Sequence, residues 1–248
     1  MPTCVVASTK GGAGKSTSVV SMAVAFASGG LSVAIIDGDP QQHSAMFVQQ
    51  RAKNSDFSLD DKAREWTHDG ITVARNVTED TMVDEIQRLA AANDIVLIDS
   101  QGSANQAMLM AMSQSNIIII PCQASRFDVS GAIRTAQIAA QAAKMVGREI
   151  PVRLLLSRTP PAIRSNMIGQ IAKEFTDAGY RFLRTELMDR PALQNMTVSG
   201  KVPSVESDKP GERNAAENML ALAKEVGLIL QGKEPPLEVV EAGKGGAS

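Results

Sequence analysis

Residues 11–17, Gly-Gly-Ala-Gly-Lys-Ser-Thr, place three glycines, an ammonium and two hydroxyls at the spacing of a phosphate-binding loop. Gly11, Gly12, Ala13 and Gly14 would let backbone N–H groups turn inward on phosphate oxygens. Lys15 would neutralise the terminal phosphates, Ser16 would offer its hydroxyl to Mg²⁺, and Thr17 would join the loop in binding the nucleotide. Such a string is specific only between a buried strand and a helix, and here the apolar run TCVVAS precedes it. A Mg²⁺-nucleotide site also needs acids at the carboxyl ends of neighbouring strands. The run SVAIIDGD supplies Asp37 and Asp39, and DIVLIDS supplies Asp99. Asp99, following four apolar residues, suits a direct or water-mediated contact with Mg²⁺. One charge is left over: Lys10 lies just before the loop and has no part in its geometry.

These groups need a rigid frame, and the hydrophobic periodicity provides one. Short apolar runs at 3–8, 32–37, 71–75, 94–100, 116–122, 152–157 and 180–185 alternate with helical stretches near 15–28, 41–52, 79–92, 103–113, 127–146, 163–178, 190–198 and 212–230. That alternation predicts an α/β fold, a doubly wound, mostly parallel sheet with helices on both faces. Ser103 and Asp128 are expected helix N-caps, and Gly29, Gly147 and Gly179 expected stops. Residues 53–70 read as a polar excursion, and residues 231–248, with Pro-Pro and four glycines, as a disordered tail. Residues 1–230 are expected to form one domain.

Composition limits the partners. The chain carries 25 basic and 27 acidic side chains, so its overall field draws it to neither DNA nor an anionic membrane. Residues 151–230 hold 11 basic against 9 acidic side chains, a slight positive bias. Cys4 and Cys122 lie in apolar runs with no second cysteine or histidine at metal-ligand spacing, as expected of reduced thiols. No apolar run approaches the roughly 18 residues of a membrane span, and a cytoplasmic protein is expected.

The strings KGGAGKST, DGDPQQHSA, LIDSQG and IIIIPCQASRFDVSG, in that order, resemble the deviant-Walker-A ATPases of the ParA/MinD family, and within it the ParA-like partition branch. The resemblance runs from about residue 3 to 131 and continues more loosely through LLLSRTPPAIRSN and GERNAAENMLALAKEV. It implies a P-loop ATPase of the SIMIBI type that takes ATP or ADP with Mg²⁺ and forms a nucleotide-sandwich homodimer with ATP. By this likeness Lys10 reaches the phosphates bound by the partner subunit, Asp39 orients or activates the attacking water, and Asp37 helps hold the Mg²⁺ shell beside Ser16 and Asp99. Pro40 and the following glutamines form the first switch. Ser-Gln-Gly after Asp99 departs from the family pattern, and Gln101 reads as turn chemistry. Preference for ATP rests on the likeness, with Arg158–Pro161 and Val202–Val205 expected near the adenine.

Such a switch has three conceivable outputs. The resemblance implies non-specific, nucleoid-associated DNA binding by the ATP dimer through basic residues of the C-terminal third: Arg164, Lys173, Arg181, Arg184, Arg190, Lys201, Lys209 and Arg213. A centromere-binding or adaptor protein would stimulate a slow hydrolysis, and the cargo would be a plasmid, a chromosome, a protein cluster or a conjugative-transfer complex. MinD-like membrane attachment would need a terminal amphipathic helix with a basic face, whereas NAAENMLALAKEVGLIL is acidic to neutral with a stripe suited to packing. A metal-carrier role of the nitrogenase-iron-protein kind would need paired cysteines. With two residues before the first strand, no operator-reading helix-turn-helix is expected.

Overall fold

The computed structural model describes residues 1–123, 125–159, 175–177 and 179–233. Pro160, Pro161, Arg164, Lys173, most of the helix expected at 163–178 and the tail from 234 lie outside the described residues. The elements in chain order are β1 (Thr3–Val6), α1 (Lys15–Ser28), β2 (Val33–Asp37), α2 (His43–Asn54), β3 (Glu65–His68), β4 (Ile71–Ala74), α3 (Met82–Ala92), β5 (Ile95–Asp99), α4 (Gln106–Ser113), β6 (Ile117–Cys122), α5 (Arg126–Val146), β7 (Val152–Thr159), β8 (Arg181–Phe182), β9 (Leu187–Met188), α6 (Pro191–Ser199) and α7 (Pro210–Leu230).

One sheet runs β3-β4-β2-β5-β1-β6-β7-β8, with β9 also paired to β7. All pairings are parallel except β3 with β4. Successive side chains of a strand point to opposite faces, and this sorts the central strands into two cores. Cys4, Val6, Val33, Ile35 and Leu97 pack with α1, α2, α6 and α7 through Met22, Phe26, Phe47, Met196, Met219 and Leu222. Val5, Ala34, Ile36, Val96 and Ile98 pack with α3, α4 and α5 through Ile86, Leu89, Met108, Met112 and Ala136. Both faces of these strands are dry, which explains why they are apolar throughout rather than alternating. Each fully buried aliphatic side chain contributes about 1.5–3 kcal/mol.

The sheet order puts β1 between β5 and β6, so the loop leaving β1 emerges at the middle of the carboxyl edge. Helix α1 is buried from Ser18 to Phe26 because it lies beneath the sheet with α7 across it; α7 turns Ala215, Met219, Leu222 and Val226 inward. The final helix therefore uses its apolar stripe on the body. Among the described residues no helix is long and apolar enough to cross a membrane.

Three local expectations are corrected. Residues 53–70 are not wholly an excursion: Glu65–His68 form an edge strand antiparallel to β4, with Trp66 and His68 buried and Thr67 exposed. Trp66 joins the α1 core, and its indole N–H donates to the Asp60 carbonyl at 2.8 Å. The cap of α4 is Asn105, not Ser103, its side chain accepting from Met108 N–H at 2.8 Å. The cap of α5 is Ser125, not Asp128, which falls in the first turn. Gly29 and Gly147 do end α1 and α5, and Gly147 has the left-handed φ of 64° that favours glycine there.

Candidate functional site: a P-loop flanked by a buried acid pair

Gly14 closes the loop with φ 92° and caps α1. At that angle any side chain is strained, so glycine is required. Two side chains hold the loop from neighbouring strands: Ser157 on β7 donates to the Ala13 carbonyl at 2.8 Å, and Gln123 after β6 donates to the Gly12 carbonyl at 2.9 Å. Gly11 and Gly12 are exposed with open space around them, leaving their backbone free to meet a ligand. Lys15 is buried, and a methyl added at Gly102 would come within 3.2 Å of its Nζ. The loop after β5 therefore lies directly over the phosphate lysine. Gln101 in that loop accepts from Asn105 Nδ2 at 2.6 Å, a tie that stiffens the turn.

Asp37 and Asp99 sit opposite one another in the β2–β5 register, both buried. Burial, and then the neighbouring Asp99 charge, push the Asp37 carboxyl up to about 7. Its two oxygens accept the N–H groups of Ala45 at 2.9 Å and Asp39 at 3.2 Å. Burial likewise raises Asp99, opposed by the hydroxyls of Ser16 and Ser44 and by the Lys15 charge. Ser44 donates to Asp99 Oδ2 at 2.7 Å, whereas Oδ1 is buried with no hydrogen-bond partner. A buried carboxylate oxygen without a donor is costly, and a hard cation beside the Ser16 hydroxyl would satisfy it. Among the described residues no three His, Cys, Asp or Glu side chains cluster as a metal cage. Mg²⁺ needs none, since it is held by one or two carboxylates, water and substrate phosphate. Ser16 and Asp99 thus fit Mg²⁺, which would neutralise charge on the transferred phosphate, while both oxygens of Asp37, also expected in the Mg²⁺ shell, are taken by backbone N–H groups.

Asp39 is half-buried; its Oδ1 accepts Gln41 N–H at 2.9 Å and its carbonyl accepts Gln42 N–H at 2.8 Å. The turn after Pro40 is thus closed around the acid expected to direct water.

Lys10 is placed differently from the other phosphate-loop residues. Its ammonium pairs with Asp128 in the first turn of α5 at 2.5 Å, with Lys10 44% and Asp128 7% exposed. The backbone around it is stitched to the same helix: Thr9 N–H donates to Thr135 Oγ1 at 3.0 Å, and Thr9 Oγ1 donates to the Gly131 carbonyl at 3.1 Å. Asp128 also accepts the Ser125 hydroxyl. Within one subunit, then, Lys10 answers to α5.

A cavity of about 330 Å³ adjoins Gly14 and Thr17 and is walled by Arg158, Met188, Asp189, Arg190, Gln194 and Val198 among others. It has the size and place for a base and sugar. Arg158 is one of its walls, Val202–Val205 are not among its lining residues, and the outer wall is the turn from β9 into α6. Arg158 has φ 53° at an irregularity between Ser157 and Thr159, so the strand edge is bent beside the cavity. Asn218 of α7 holds the wall in place by donating to the Glu186 carbonyl at 2.7 Å and accepting Met188 N–H at 2.9 Å.

Several of these residues carry no signal of their own in the sequence. Ser44 and Ala45 lie inside DGDPQQHSA, and only the structure shows the start of α2 meeting the acid pair. Nothing local marks Gln123, Ser157 or Asp189. Among the basic residues of the C-terminal third, Arg181, Arg184, Lys201 and Lys209 are exposed, whereas Arg190 and Arg213 are half-buried. Arg190 belongs to the nucleotide-side cavity, and Arg213 donates to the Ser207 carbonyl. Cys122 is buried, its thiol pushed up to about 12 by burial and by Asp128, and Cys4 is buried in the sheet. Both belong to the apolar cores, Cys4 on one face of the sheet and Cys122 on the other.

Comparison with known proteins agrees with this geometry. The profile of the family described as ATPase MipZ matches residues 3–150. A ParA protein of Rhizobium radiobacter is 28% identical over 224 residues, covering 90% of this chain and 95% of its own. Among solved structures, a Cyanothece McdA variant in complex with ATP superposes with a TM-score of 0.74 at 16% identity, covering 96% of this chain and 99% of that one. Pyrococcus horikoshii MinD complexed with Mg-ADP gives 0.68 at 18% identity, covering 94% and 98%. The P-loop after β1, the acids ending β2 and β5 and the match over 3–150 together place the chain in the MipZ family of ParA/MinD-type P-loop ATPases, and it is an ATP hydrolase.

Proposed function

We propose that the protein is a nucleotide-timed partition or positioning ATPase: a monomer with ADP or no nucleotide, and with Mg-ATP a face-to-face homodimer that binds DNA without sequence preference. The observation that carries this reading is the place of Lys10. A cation kept at the rim of the P-loop, 44% exposed and held by Asp128 rather than directed at its own loop, is available to a second subunit.

In that reading Gly11, Gly12, Ala13 and Gly14 present backbone N–H groups to the phosphates, Lys15 neutralises their charge and Thr17 borders the sugar. Mg²⁺, when bound at Ser16 and Asp99 with Asp37 behind them, stabilises charge on the transferred phosphoryl group. Asp39 orients water for in-line attack, and Lys10 of the partner subunit adds a positive charge where negative charge develops. The loop of Gln101 and Gly102 covers Lys15 and keeps bulk water from it.

The exposed Arg181, Arg184, Lys201 and Lys209 are the side chains we assign to DNA phosphates. A slight excess per subunit doubles on pairing, which makes DNA affinity depend on the dimer and fall with salt. The relatives support partition: one is a ParA, and a Borrelia burgdorferi plasmid partition protein bound to AMPPNP shares the fold at a TM-score of 0.63. A second reading, positioning of a protein cargo, is favoured by the McdA likeness. Membrane attachment is disfavoured because α7 spends its apolar stripe on α1.

A gel shift on random-sequence DNA with Mg-ATP, Mg-ADP and no nucleotide tests the proposal. Retardation with ATP alone is expected. Equal retardation in all three would remove the partition reading and leave a generic ATPase, and ATP-dependent retention on anionic vesicles would replace DNA by membrane.

A further inference from the structure

A second cavity, of about 320 Å³, lies at the same carboxyl edge of the sheet but on the outer side of β4, away from the P-loop. Its walls include Arg64, Arg75, Arg88, Glu65, Glu85 and Asn76. Three arginines face two glutamates, one positive charge in excess. The glutamates are already engaged, since Arg88 donates to Glu85 at 2.8 Å and also to Glu65. The cluster of Arg88 with its two glutamates carries one net negative charge, and Arg64 and Arg75 carry the two positive charges that outweigh it. Arg64 is exposed and has no side-chain partner among the described residues. Arg75 is fixed: its guanidinium carbon stacks 3.5 Å from the Trp66 ring centroid, and Nη1 donates to the carbonyls of Ala63 at 2.9 Å and Asp61 at 3.3 Å. That leaves its second terminal nitrogen without an acceptor and its Nε buried with none. Preset guanidinium donors with free valences are the usual way proteins hold carboxylate or phosphate.

The cavity is also wired to the switch. Asn76, one of its walls, accepts a hydrogen bond from Gln42 at 2.5 Å. Both residues are non-glycines held at left-handed φ, 50° for Gln42 and 55° for Asn76, a local strain that persists only when neighbours enforce it. The Gln42 N–H in turn donates to the Asp39 carbonyl at 2.8 Å.

We propose that the Arg64–Arg75 cavity is a regulatory site for a small molecule bearing a carboxylate or phosphate group, and that its occupant adjusts the Asp39 loop through Asn76 and Gln42. A volume of about 320 Å³ admits a small metabolite rather than a lone ion. The oxyanion sits between Arg64 and the open edge of Arg75, over the Trp66 stack. The regulatory half of the proposal rests on the role given to Asp39 above; the binding half does not.

Trp66 is the only tryptophan of the chain, so its fluorescence reports on this cavity. With the protein held in Mg-ADP and ionic strength matched, inorganic phosphate and N-acetylglutamate are titrated separately. A saturable change with one or both is expected, and which of them saturates identifies the anion class. Arg64→Ser, a surface change that should leave the melting curve unaltered, is expected to weaken it about tenfold, the loss of one charge-assisted contact. A change that never saturates, or one whose midpoint Arg64→Ser leaves in place, overturns the site. For the coupling, the saturating anion should alter ATP turnover of the wild type at least about twofold, a small allosteric effect. Asn76→Gly keeps the backbone angle and removes the amide, and should bind the anion yet lose that response; a response that persists overturns the coupling. Should Asp39→Ala keep wild-type turnover, the assignment of Asp39 fails while the Trp66 titration stands.

Discussion

If Lys10 serves a partner subunit, its bond to Asp128 must break when two subunits close, and weakening that bond should favour the dimer. Asp128→Asn keeps the side-chain volume and the polar contact to Ser125 while removing the charge that holds Lys10 at 2.5 Å. With Lys10 44% exposed, solvent screens the pair, and about 1 kcal/mol is a reasonable value. That is about fivefold in an equilibrium constant, and two lysines are released per dimer, so the dissociation constant should fall about 25-fold. Losing a carboxylate from the first turn of α5 costs at most about 1 kcal/mol of stability. Sedimentation velocity in saturating Mg-ATP on an Asp39→Ala background measures the dimer constant directly. Lys10→Ala should lose the dimer whether or not Asp128 is changed, closing a double-mutant cycle. A dimer constant unchanged or weakened by Asp128→Asn, with ADP affinity intact, would refute the idea that the two contacts compete.

Three further outcomes follow from the packing and the acid pair. Because burial and Asp99 push the Asp37 carboxyl up to about 7 from an ordinary 3.8, the folded chain holds that proton more tightly than the unfolded one. Its stabilising contribution is complete below about pH 4 and lost as pH rises through about 7, at most about 4 kcal/mol, and urea midpoints in EDTA at pH 5 and 8 should show a drop that Asp37→Asn lacks. A methyl at Gly200, where φ is 71°, would lie 2.5 Å from Arg51 N, so Gly200→Ala should destabilise by about 2–4 kcal/mol in the same assay by prising α6 from α2. Asn218→Ala strands the Glu186 carbonyl and the Met188 N–H beside the base cavity; calorimetry should show ADP affinity falling severalfold, for a loss of about 1–3 kcal/mol spread between binding and fold.

Features local in sequence were legible and features assembled across it were not. The glycines and Lys15 announce themselves within seven residues, and α1 begins and ends where the pattern places it. Asp37 and Asp99 were readable because an acid ending an apolar strand has few other reasons to be there. Their direct opposition depends on β2 pairing with β5, which no single strand reveals. Lys10 and Asp128 were both noticed, yet their contact spans 118 residues and depends on β6 carrying α5 past the P-loop. Trp66 reads as part of a polar excursion because β3 is four residues long and the half-buried Glu65 and exposed Thr67 give too short an alternation to mark a strand. The cavity beside Gly14 and Thr17 escaped for a related reason: its wall turns on β9, two residues held by α7 rather than by intrinsic strand preference.

The mass of the Asp39→Ala protein in saturating Mg-ATP, by light scattering at micromolar concentration, tests the central claim most directly. Twice the 26.3 kDa of the chain is predicted, reverting to a single chain when Lys10→Ala is added or ADP replaces ATP. A protein that stays at 26.3 kDa in Mg-ATP would contradict the account.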